Sequence, residues 1–269
     1  MAAPTSHRLD VPGAQLYYDV QGSGPVLLLV GHPMDASGFA AIAPLLAESH
    51  TVVTFDPRGF ARSPIDDPDQ DAEPDLLADD ARRVLEAVGE GPASVFGSSG
   101  GAITGLALVT RHPDHVARLV AHEPPVALLL PDAEETQAGM HEIYDTYRQC
   151  RTSAAWAAFG SFTGLTIGRQ DDEVAPEPPS PAEVATSERF FAHGLLPIAL
   201  YRPDLSALRA AVPAVIVAGG TASRGQFPHR TAVALAGRLG PAMVDFPGGH
   251  TGFISEPHTF AATLRATLA

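Results

Sequence analysis

The sequence predicts an α/β fold, a mostly parallel twisted sheet with helices on both faces and an inserted helical cap. Three observations carry that expectation. Short, continuously apolar runs bounded by turn residues recur at 26–30, 51–55, 93–96, 116–121, 214–218 and 242–246, after a first strand at 16–20. Runs of this kind suit strands buried on both faces. Segments with helical spacing lie between them, at 39–48, 75–88, 99–111, 229–239 and 257–268, and strands alternating with helices pair in parallel. The alternation breaks over 126–204, where the chain becomes helical and aromatic around a proline-rich acidic stretch at 171–183. Residues 1–125 and 205–269 are therefore expected to form the core and 126–204 the cap. So short a segment would make only a small core by itself.

Composition narrows the class. With 45% apolar and 18% charged residues, the 269-residue chain has the balance of a compact protein able to bury a substantial core. Seventeen basic against 31 acidic residues give a net charge of −14, which repels phosphate backbones and anionic lipid, so neither nucleic acid nor membrane is an expected partner. The apolar run 26–30 is far too short to cross a bilayer. The first residues lack a basic region followed by an apolar stretch, which makes a cytoplasmic location the expectation. Cys150, the single cysteine, allows no internal disulfide and reads as a buried or half-buried small apolar residue rather than a catalytic thiol. The acidic run 66–75 reads as a solvated loop rather than a metal site.

The chemistry begins at "VFGSSGG", which follows the strand 93–96 and opens the helix 99–111. A sharp strand-to-helix turn lifts one side chain out of the sheet, and the residues two before and two after it must be small. For Ser99 these are Gly97 and Gly101; for Ser98 they would be Phe96 and Gly100, and Phe96 would clash. Ser99 is the expected nucleophile, and Ser98 is left to line the turn. A helix-capping serine in a glycine-rich turn produces a similar string, so the partners decide.

A serine hydroxyl needs a base. His250, behind two glycines in "VDFPGGHTGF", has that position just after the last strand. The imidazole in turn needs a carboxylate to hold one tautomer. In chain order Ser, acid, His, the commonest place is the loop after 214–218, yet no Asp or Glu occurs anywhere in 212–244. One strand earlier stands Glu123, in "LVAHEPP", and it is the expected acid. Asp245 lies inside the strand leading to His250 and is less able to reach the ring. An oxyanion needs preorganised donors. The N–H of Gly100, at a helix start, supplies one, and the loop "GHPMDASGF" supplies the other through His32, with Met34 in reserve.

With these pieces in order, the chain resembles the α/β-hydrolase superfamily. The resemblance rests on "GHP" before Phe39, "FDPRGFARS" with Ala61 in place of a glycine, "GSSGG" at the elbow and "GGH" near the end. It spans 16–124 and 205–268, and the cap carries no such motif. It implies that Asp56 and Arg58 are structural. A displaced acid is known in branches that include haloalkane dehalogenases, whose aspartate nucleophile Ser99 excludes, and fungal zearalenone lactonases. The latter are similar in pairing a Ser-Ser-Gly elbow with a His-Glu-x-Pro segment, as "GSSGG" and "HEPP" do here.

The expected activity is hydrolysis of an ester or lactone through an acyl-enzyme on Ser99, with no metal or organic cofactor. Met34 and the aromatic cap residues Trp156, Phe159 and Phe162 are the expected contacts of an apolar, uncharged small molecule. An apolar cap face would also suit a homodimer. Two alternatives keep the fold but change the role: a lyase or cyclase using the same groups as acid and base, and a ligand-binding protein without turnover.

Overall fold

The computed structural model describes residues 3–89, 91–165, 178–211 and 214–269. Within them, one sheet comprises β1 (Thr5–Val11), β2 (Ala14–Gln21), β3 (Val26–Val30), β4 (Thr51–Phe55), β5 (Ala93–Ser98), β6 (Val116–His122), β7 (Ala214–Gly220) and β8 (Val244–Phe246). The spatial order is β1-β2-β4-β3-β5-β6-β7-β8. The first two strands form an antiparallel hairpin, β2 is antiparallel to β4, and every later pair is parallel.

The departures from the sequence expectation have local causes. Strand β1 is an edge strand whose residues are mostly exposed, so it has no apolar run to betray it. Strand β8 starts at Val244 rather than at 242 and pairs with β7 over three residues only. The helix expected over 39–48 is broken. A 3-10 turn at Ala36–Phe39 precedes the single turn α1 (Ala43–Leu46), with Pro44, which has no N–H to donate, in its first turn. Helices α2 (Pro74–Val88) and α3 (Gly100–Arg111) fall close to where the spacing places them.

Alternate residues of the strands feed opposite layers. Leu28 and Val30 of β3 join one core with Leu77 and Val84 of α2 and with Ile103 and Leu106 of α3. Leu27 and Leu29 join the other with Phe39 and Leu46. Helices thus cover both faces, as parallel strands require.

Between β6 and β7 the chain is helical. A 3-10 turn at Ala127–Leu129 leads into α4 (Ala133–Thr163), then α5 (Pro181–Arg189), a π-helical turn at Phe190–Gly194 and α6 (Leu195–Ala199). Residues 171–177 of the acidic stretch lie outside the described residues, but Ser180 and Glu183 at its end form a reciprocal cap on α5. This segment has its own apolar cluster, in which Met140, Ile143, Phe190 and Phe191 meet Phe60 and Phe227 of the core. Cys150 is exposed on the outward side of α4 and not buried as its apolar character suggests. Helix α7 (Leu205–Ala210) returns to the sheet by burying Leu208, and α8 (Phe227–Leu239), α9 (Gly252–Ser255) and α10 (Pro257–Leu268) complete the layers. Among the described residues, no helix is long and apolar enough to cross a membrane.

Candidate active site

Ser99 sits between the last residue of β5 and the first of α3 with φ 56° and ψ −124°. That backbone is strained for a residue with a Cβ and persists only where its surroundings over-determine it. The glycines do this. A Cβ on Gly97 would lie 2.4 Å from the carbonyl oxygen of Gly101, and one on Gly101 would lie 2.0 Å from that of Val30. Ser98 does not line the turn as expected; it is buried, with Oγ 3.2 Å from Nδ1 of His122.

Strand pairing carries the arrangement one rung past the sheet. Ser98 pairs with His122 and His122 with Ala218 in the parallel ladders. The N–H of Ser99 then donates to the His122 carbonyl at 2.9 Å, and that of Glu123 to the Ala218 carbonyl at 2.9 Å. Glu123 is also left-handed, with φ 49°. Its carboxylate is fully buried, yet both oxygens are engaged. Oε2 lies 2.7 Å from Nδ1 of His250, while Oε1 accepts from the N–H of Gly220 at 2.9 Å and from the hydroxyl of Ser223. Burial pushes this carboxyl up, but the His250 hydrogen bond, the neighbouring imidazoles and Ser223 outweigh it and hold the pKa at about 2. An ionised Glu123 accepts a hydrogen bond from Nδ1–H, which leaves Nε2 of a neutral His250 as the acceptor.

The loop after β7, which contains no acid, thus contributes Gly220 and Ser223 to an acid that comes from β6. Nothing in "GGTASRGQF" marks Ser223 for that task. Asp245 is occupied at the surface, where its carboxylate accepts from Arg224 at 2.6 Å. In the "DPRG" turn, Asp56 accepts from the N–H of Ala36 and from Arg62, while Arg58 forms a buried pair with Asp80 at 2.6 Å. The turn is therefore a staple between loops.

Ser99, Gly100, His250 and His32 line a cavity of about 170 Å³ whose other wall includes Met140, Trp156, Phe159 and Phe190. Gly100 opens α3, so its N–H has no acceptor within the helix. A Cβ on Gly100 would come within 2.8 Å of the His32 carbonyl oxygen, so the two donor-bearing segments touch. Of the four expected substrate contacts, Trp156 and Phe159 are in the wall. Met34 and Phe162 are not. Met34 folds onto Gly31 and Gly38, occupying the space their side chains would need, and Phe162 packs on Gly139 and on the Phe227 ring at 5.7 Å. Phe190, absent from the sequence expectation, stacks on Trp156 with ring centroids 5.4 Å apart.

Two further histidines stand close by. The His122 ring lies 6.4 Å from that of His250; burial pushes its pKa down to about 4, opposed by Glu123 and assisted by His250. The His32 ring meets Phe60 edge-on at 5.0 Å, and burial, reinforced by the charge of Arg189, pushes it down to about 3. Both rings are neutral near pH 7.

Comparison with known proteins agrees with this fold. The alpha/beta hydrolase fold family matches residues 24–160. The uncharacterized hydrolase YraK of Bacillus subtilis (strain 168) is 36% identical over 267 residues, covering 97% of this chain and 94% of YraK. A zearalenone hydrolase of Bionectria ochroleuca is 27% identical over 264 residues, covering 93% of this chain and 92% of that one. Among solved structures, a thermophilic esterase from Thermogutta terrifontis superposes with a TM-score of 0.69 at 21% identity, over 99% of this chain and 98% of the esterase.

Proposed function

Since the chain belongs to the α/β-hydrolase family, we propose that it is a serine hydrolase cleaving an ester or lactone bond of an apolar small molecule. The observation that carries this reading is the buried, ionised Glu123 bound to Nδ1 of His250, with Ser99 on a strained turn in the same cavity. That arrangement suits acyl transfer. Nε2 of His250 takes the Ser99 proton as Oγ attacks the carbonyl carbon, and the N–H groups of Gly100 and His32 receive the oxyanion. The proton passes to the departing alkoxide, which leaves as alcohol. Water, deprotonated by His250, then attacks the acyl-enzyme and releases the acid and free Ser99. Glu123 stays ionised throughout and orients the ring.

The apolar wall of Trp156, Phe159 and Phe190 supports an uncharged substrate. The likeness to a zearalenone hydrolase along nearly the whole chain supports the same class. The test is labelling by a fluorophosphonate together with turnover of p-nitrophenyl esters and lactones. Labelling at Ser99, with loss of both label and turnover in Ser99→Ala, is the expected result. Turnover that survives Ser99→Ala would replace this reading with acid–base lyase chemistry.

A further inference from the structure

Besides the groups assigned to the reaction, and among the described residues, the cavity wall holds one polar side chain without a partner. His250 is held by Glu123, the indole N–H of Trp156 donates to Ser187 at 3.0 Å, and the Thr163 hydroxyl donates to the Phe159 carbonyl at 2.7 Å. His32 is different. It is 2% exposed, it lines the cavity, and neither Nδ1 nor Nε2 has a hydrogen-bond partner among the described groups. Its ring is set between the elbow and the inserted helices. A Cβ on Gly100 would lie 3.1 Å from Nδ1, and one on Gly194 of the π-turn would lie 3.0 Å from Cε1. Glycine on both sides leaves the ring room but gives it no polar side chain to bind. Buried polar atoms left this way call for an explanation.

We propose that the imidazole of His32 is a specificity determinant that hydrogen-bonds a hydroxyl group of the substrate close to the scissile carbonyl. The proposal rests on the serine-hydrolase reading and adds the substrate class: hydroxy esters, or lactones that carry a further, free hydroxyl. Proximity follows from connectivity. The same residue offers its N–H to the oxyanion and its ring to the hydroxyl, so the two oxygens lie within one residue's reach. A hydroxyl is favoured over a charged group for two reasons. A neutral imidazole presents one donor and one acceptor, and a hydroxyl matches either. Burial and the Arg189 charge both oppose the imidazolium that a carboxylate would need. A site built to bind a hydroxyl discriminates against the analogue that lacks it, because its own polar atoms then stay unpaired.

The experiment compares p-nitrophenyl 2- and 3-hydroxybutanoate with p-nitrophenyl butanoate, each rate divided by its alkaline hydrolysis rate. The expected result is a preference in kcat/KM of about tenfold or more for at least one hydroxy ester. That ratio should fall to about twofold or less in His32→Phe and be partly kept in His32→Asn, which retains hydrogen-bonding atoms. Because the ratio is read within each variant, a general loss of activity does not affect it. No preference in the natural protein, or a preference that survives His32→Phe, overturns the proposal. A second arm needs no turnover. Ser99→Ala is titrated calorimetrically with methyl 3-hydroxybutanoate and methyl butanoate, then again with His32→Phe added. Tighter binding of the hydroxy ester that vanishes with His32 supports the proposal, and equal binding overturns it. Absence of ester turnover and of fluorophosphonate labelling would instead remove the serine-hydrolase reading and leave the binding arm to decide the role of His32.

Discussion

At the rim of the sheet, Ser99 and Glu123 are held by backbone: each donates its N–H to the neighbouring strand, and close-packed glycines or a satisfied carboxylate enforce each left-handed turn. Across the cavity, the wall from α4, the π-turn and α6 is held by rings. Trp156 stacks on Phe190 and meets Phe191 edge-on at 4.8 Å, and the indole N–H is anchored on Ser187. Backbone pairing leaves a reactive group little freedom, whereas ring packing tolerates substitutions that conserve volume at modest cost. The rim therefore suits chemistry and the inserted helices suit selection.

The sharpest test of this division is at the rim. Ser99→Ala and Glu123→Gln should each lower kcat on a short p-nitrophenyl ester by about 10⁴-fold or more, while Asp245→Asn stays within about twofold, as befits a surface pair with Arg224. If the two acids exchanged roles in that assay, the assignment of Glu123 would be wrong.

Stability against pH separates the rim's buried histidines from its acid. His32 and His122 have pKa values depressed from 6.5 to about 3 and about 4, so between those values and 6.5 the unfolded chain binds protons that the folded chain does not. Stability then rises with pH across that window, by up to about 1.4 kcal/mol per pH unit for each group. Glu123, held at about 2, adds stability that is present above the ordinary carboxylate range and is lost as pH falls through about 2. Urea melts between pH 4 and 7 should show the slope, and His122→Phe should flatten it. An unchanged slope in that variant would mean that His122 is protonated in the fold.

On the other side of the cavity, Trp156→Ala should raise KM for long-chain esters by about tenfold, in keeping with lost burial of an aromatic surface. Its kcat on an acetyl ester should change by less than about threefold, since no reacting group is touched. A kcat loss as large as that of Glu123→Gln would erase the contrast between the two regions. The smallest effect belongs to the turn after β4, where Ala61 has φ 45° in place of the glycine of the α/β-hydrolase pattern. Releasing about 1–2 kcal/mol of left-handed strain against the entropy cost of glycine leaves Ala61→Gly about 0.5–1 kcal/mol more stable in a urea melt.

That Ser99 takes the strained elbow position was legible in the chain because it is a local steric matter: "GSSGG" admits one serine with small residues two positions away on both sides. Glu123 was legible for a different reason, the absence of any acid over 212–244, which narrows the choice without geometry. Strands β3 and β4 begin and end where their apolar, β-branched runs do, because strands buried on both faces carry no charged positions there to blur the pattern. Where a strand is mostly exposed, as β1 is, that signal disappears.

What only the tertiary structure decided depends on contacts between distant parts of the chain. Ser223 reaches Glu123 across 100 positions, Met34 turns onto Gly38 instead of the cavity, and Phe190 rather than Phe162 joins the cavity wall. The place of His32 beside the elbow was legible from its position after β3, but the orphaned state of its ring was not. A sequence records which groups can donate or accept hydrogen bonds. Whether a buried group has found a partner depends on what packs against it, and here Gly100 and Gly194, far apart in the chain, surround His32 without offering it a polar side chain.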